Sequence, residues 1–164
     1  MSIFDSVIQE HDKKKAEMEA RIADAQALKQ AAQNDFVEKF NATVSSVVEP
    51  IFAEFVADAK KYGFPAEVEE IRSREETIYV SLRLIPEKGA VFGTNRSAQV
   101  VFSINGMITS QKVEYVSYYD QRPGKHGTDR TDFGLPSLNK DVIERELAKF
   151  LKMAIHARSV PEQY

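Results

Sequence analysis

The tripeptide Gly63-Phe64-Pro65 divides two hydrophobic periods, and no other feature constrains the fold as strongly. Ahead of it, apolar residues recur at three- and four-residue intervals, as on a helix face. Behind it, apolar and polar residues alternate, as in strands with one buried face. The boundary carries its own stop signal. Gly63 suits the left-handed position after a helix, Lys60 and Lys61 suit the negative helix end, and Pro65 blocks continuation.

The helical part is expected over residues 6 to about 62, with Ser6 and Gln9 at capping-box spacing. Its second half is rich in large apolar groups. Phe36, Phe40, Val44, Val47, Val48, Ile51, Phe52, Phe55, Val56 and Ala59 make a wide stripe suited to covering a sheet. The first half is thinner. Met18, Ile22, Ala25, Ala32 and Phe36 follow alternating steps of four and three, with Lys29 between the alanines, and this spacing resembles a coiled-coil heptad. Two places suggest an interruption. Asp35 and Glu38 could cap a restarted helix, and Pro50 predicts a kink because it lacks a helical donor.

After Pro65 a short strand is expected over 66–72 and a clearer one over 77–85, where Ile78, Val80, Leu82 and Leu84 share a face. Another follows over 98–104, beyond the turn-like Gly93-Thr94-Asn95. Asn105-Gly106 reads as a type I′ hairpin that reverses the chain into 107–119. Residues 120–136 read as a polar loop, longer than most connections. Ser137 or Asn139 then caps a last helix with Val142, Ile143, Leu147, Phe150, Leu151, Ala154 and Ile155 on its apolar face. The expected class is α+β: a long N-terminal helical arm, a three- or four-stranded antiparallel meander and a C-terminal helix. The expected organisation is a helical extension over 1–35, an α+β domain over 36–158 and a tail over 159–164.

Composition narrows the functional classes. A chain of 164 residues has enough core to fold without staples. It contains no cysteine, so thiolate ligands, thiol nucleophiles and disulfides are excluded, and a cytoplasmic setting is expected. The charged N-terminal stretch does not read as a signal peptide, and no segment reaches the roughly 20 apolar residues of a membrane span. A net charge of −3 gives no general attraction for nucleic acid.

The arm supplies the leading functional expectation. One unbroken helix over 6–62 would extend about 85 Å at roughly 1.5 Å per residue, whereas an eight-residue strand spans about 26 Å. The Met18 to Ala32 seam therefore needs a second copy, another protein, or a break near Asn34 that folds the helix back. A protein-interaction or assembly module is expected, self-associating through Met18, Ile22, Ala25 and Ala32, with Phe36 and Phe40 joining the arm to the core.

An alternative site lies around the 120–136 loop. Tyr115, Tyr119, Arg122, Lys125, His126 and Arg130, with Tyr118 and Tyr79 nearby, would suit nucleic acid if their rings and cations shared a surface. Asp120, Asp129 and Asp132 oppose that by offsetting the positive charge. Enzyme chemistry has the least support. His11, His126 and His156 are scattered, and no P-loop, dinucleotide fingerprint, HExxH sequence or nucleophile elbow occurs. No cofactor or metal is implied, and no membrane partner is expected.

Overall fold

Helix α1 begins at Ile3 because the Ser2 hydroxyl accepts the Asp5 backbone N–H at 3.1 Å and closes the first turn. The start therefore lies one turn ahead of the expected cap at Ser6. A computed structural model describes residues 2–93 and 98–159. Thr94 and Asn95 of the expected turn at Gly93-Thr94-Asn95, and most of the expected 159–164 tail, fall outside these residues. The chain divides into two units, Met1–Asp35 and Phe36–Tyr164.

Helix α1 runs Ile3–Thr43 without a restart at Asp35. Asn34 instead accepts a hydrogen bond from the Gln30 side-chain amide at 2.9 Å, one turn back on the same helix. A π-helical turn, Val44–Val48, follows, and then helix α2, Glu49–Lys61. Pro50 is the second residue of α2 and directly follows the π turn, so its missing N–H falls where the helical hydrogen-bond ladder has just changed spacing.

The spacing of buried residues explains the π turn. Phe36, Phe40, Val44, Val48, Phe52 and Val56 are all buried and lie four residues apart. On a continuous α-helix of 3.6 residues per turn, each such step overshoots by about 40°, so the stripe would wind away from the sheet. The π turn accommodates an extra residue and brings Val48, Phe52 and Val56 back onto the buried face. Glu49 N–H donates to the Val44 carbonyl across it. Just before it, the Thr43 hydroxyl donates to the Lys39 carbonyl at 2.8 Å, a back-bond that loosens the α pattern.

The helix stops as the sequence requires. Gly63 has φ +86°, its N–H donates to the Lys60 carbonyl at 3.0 Å, and Phe64 N–H donates to the Ala59 carbonyl at 2.9 Å. These two bonds complete a Schellman cap.

Five strands follow: β1 Ala66–Arg74, β2 Thr77–Leu84, β3 Val100–Met107, β4 Lys112–Asp120 and β5 Gly127–Gly134, joined in sequence order into one antiparallel meander. Helix α3, Lys140–Ser159, completes the α+β fold. Its cap is Asn139, whose side-chain oxygen accepts the Val142 N–H at 3.0 Å. Leu138 and Ile143 on either side of the cap are both buried. One sheet face carries Val80, Leu82, Phe102, Ile104 and Val113 into the core shared with the helices. Phe102 lies at its centre, with ring centroids 5.9 Å from Phe52 and 5.5 Å from Phe150.

Two strand expectations are corrected. Asn105-Gly106 is not a hairpin but lies inside β3, paired with β2 on one side and β4 on the other. A Cβ on Gly106 would stand 3.0 Å from two ring carbons of Phe40, so the glycine admits that aromatic ring to the sheet. The chain reverses farther on, where Gln111 takes φ +54°. Second, much of the expected 120–136 loop is β5, which raises the count to five strands. Its polar side chains are held by neighbours: Arg130 pairs with Glu114 at 3.0 Å, and Asp129 with Lys149 of α3 at 3.0 Å.

Candidate functional site

Two surfaces carry chemistry that the core does not use, one in each unit. In the first unit, residues 3–32 of α1 are exposed along every face, so their apolar groups all lie at the surface. Met18 is 64% exposed and Ile22 53%, and Ala25 and Ala32 are exposed on the same stepped pattern. Phe36 and Phe40 are different. Both are buried in the second unit's core, stacked with centroids 6.1 Å apart. The six candidate interaction residues thus divide into four surface groups and two core groups.

Sequence reasoning missed part of this surface. Phe4, Ile8 and Leu28 are exposed as well. Phe4 and Ile8 continue the four-and-three stepping toward the N-terminus, with His11 and Lys15 completing the interval to Met18. The polar His11 and Lys15 concealed that continuity in a search for apolar residues alone.

The alternative polar residues do not form one surface. Tyr115 faces the core, and its hydroxyl donates to the Ser137 carbonyl at 2.9 Å. Burial pushes the Tyr115 phenol up to about 12. Arg122 is also buried. Its Nε and Nη2 donate to the two oxygens of Asp120, each at 2.9 Å, and Nη2 also donates to the Ala157 carbonyl at 2.7 Å. These hydrogen bonds from Arg122 hold the Asp120 carboxyl below its ordinary value. The pair fastens the end of β4 to the end of α3, so its guanidinium is engaged inside the fold. Tyr119 packs against the core, Lys125 is half-buried, and His126 is exposed at φ +48°. Arg130 lies over the Tyr118 ring, 5.9 Å from its centroid.

The sheet face opposite the helices forms the second surface. Ser81 and Ser103 stand directly across from each other and are both buried, making the floor of an open groove of about 430 Å³. Tyr79 and Tyr118 line it with Glu69 and Arg74. Ser103 donates to the Asn105 side-chain oxygen at 2.6 Å, and Asn105 donates to Glu114 at 3.1 Å. An amide cannot take the serine proton, so this contact orders the floor without activating a nucleophile. The groove offers hydrogen-bonding groups and aromatic edges. Among the described residues no group of three His, Cys, Asp or Glu is placed to hold a metal ion, and no helix is long and apolar enough to cross a membrane.

The chain matches no known protein family, no characterised protein and no solved structure in comparisons with each.

Proposed function

We propose that the protein is an assembly module whose N-terminal helix associates with a protein partner, in the first instance a second copy of the chain. The exposure of Met18 and Ile22 carries this proposal. A lone helix is marginal in water when it has no apolar face to bury, and its usual support is tertiary or intermolecular packing. Each large apolar side chain moved from water into an interface contributes about 1.5–3 kcal/mol. The same stretch offers alternating charge but no polar cluster suited to chemistry. A cytoplasmic setting suits the cysteine-free composition.

Sedimentation across a range of concentrations tests the proposal, using the full chain and a chain lacking residues 1–33. The full chain is expected to pass from monomer to dimer as concentration rises. The shortened chain is expected to stay monomeric while keeping its β-sheet spectrum. A full chain that is monomeric throughout overturns self-association.

A further inference from the structure

We infer that the two copies lie parallel and in register, as a two-stranded coiled coil from Phe4 to Ala32. This rests on the self-association proposed above and specifies its geometry. The seam is Phe4, Ile8, His11, Lys15, Met18, Ile22, Ala25, Lys29 and Ala32, with steps of four and three throughout. Beyond Phe36 the buried residues change to uniform steps of four, so the heptad pattern ends where the second unit's core begins.

The flanks of this seam set the direction. The positions following Phe4, His11 and Met18 are Asp5, Asp12 and Glu19, so one flank is acidic. The positions preceding Lys15 and Ile22 are Lys14 and Arg21, so the other flank is basic; Val7 and Leu28 extend it with apolar groups. In a parallel pair, each helix sets its basic flank against its partner's acidic flank, one heptad on. Lys14 then meets Glu19 of the second copy, and the contact occurs twice by symmetry. In an antiparallel pair, like flanks meet: acidic groups face acidic groups and basic face basic. Lys14 already has an exposed pairing with Glu10 one turn back, at 3.1 Å, which leaves its ammonium on the solvent side where a second carboxylate can reach it.

Lys15, Lys29 and His11 oppose tight association, since the parallel register places each beside its own counterpart. They also limit the number of strands. In a two-stranded coil a lysine stem can lie along the seam with its ammonium in water, whereas three or four helices would enclose it. The association is therefore dimeric and concentration-dependent.

Charge exchange in the full chain tests the direction. Lys14→Glu and Glu19→Lys are each expected to weaken self-association about tenfold, and an equal mixture of the two variants restores it in a mixed dimer. The chain has no cysteine of its own, so Ile22→Cys supplies an independent reading. Mild oxidation is expected to link two Ile22→Cys chains directly. A dimer in which Glu19→Lys associates as well as the original, and in which Ile22→Cys links to Met18→Cys but not to itself, overturns the parallel arrangement while leaving self-association intact. A trimer mass overturns the two-stranded arrangement. A monomer at every concentration overturns self-association itself.

Discussion

Gly106 shows how one residue can suggest the wrong structure. Preceded by asparagine, it has the composition of a tight turn, yet it lies flat in the sheet with the Phe40 ring where a side chain would be. Gly106→Ala is expected to cost about 1–3 kcal/mol by overpacking against Phe40, which is fully buried and has little room to shift. Urea denaturation measures this, and Phe40→Leu in the same chain is expected to recover part of the loss. Tyr115 makes a prediction at high pH. Its phenol is raised from the ordinary 10.0 to about 12, so its contribution to stability is complete below pH 10.0 and is lost as pH rises through about 12. Tyr115→Phe is expected to be less stable at neutral pH by about 1 kcal/mol, because the bond to the Ser137 carbonyl is gone. It is also expected to lose less stability than the original between these two pH values, as followed by denaturation at each pH. Tyr115 and Arg122 were legible as unusual residues but not as buried ones. Their charge and hydroxyl are satisfied by Asp120, Ala157 and Ser137, and sequence order alone gives no sign of those meetings.

Among the elements, the π turn is the one with a precise structural task. Ser45 and Ser46 are exposed, so their side chains add little to the core, but their presence sets the phase of everything on either side. Ser46→Ala is expected to change stability by less than about 0.5 kcal/mol. Deleting Ser46 removes the extra residue that the π turn accommodates, so the helix closes to a regular α pattern with the Phe36 to Val56 stripe still on one face. An alanine inserted after Ser46 instead rotates one half of the stripe by about 100° away from the sheet. Removing buried aromatics typically costs about 3–5 kcal/mol each, so the chain with the insertion is expected to lose its cooperative unfolding transition while the chain with the deletion keeps it. Circular dichroism during urea titration distinguishes the two variants. The strong periods of α2 and β2 could be read from sequence because each buries one face along its whole length. The edge strand β5 could not, since its residues are polar and rich in aspartate and glycine. It is a strand because β4 offers unpaired backbone groups, while Glu114 and Lys149 receive its charges. Charged side chains on such an edge also discourage pairing with other chains.

At the scale of the whole molecule, the buried hydrophobic cluster runs from Phe36 to Ala154, entirely within the second unit. The exposed seam of the first unit is therefore expected to be separable from folding of the second. Met18→Asp with Ile22→Asp is expected to abolish concentration-dependent association in sedimentation, while the urea midpoint followed through the tyrosines changes by less than the fitting error. A loss of both association and cooperative unfolding would show that the seam serves the core instead.

By itself the sequence determined the class of fold, the helix stop at Gly63 and the stepped apolar seam, since each follows from local geometry: a repeat, a cap, a ring that fixes φ. Only the tertiary structure decided that Gly106 would receive Phe40, that Arg122 would bind Asp120 and Ala157, and that a polar stretch would become β5. Those outcomes depend on groups brought close by the folded chain, where sterics and desolvation act between residues far apart in sequence.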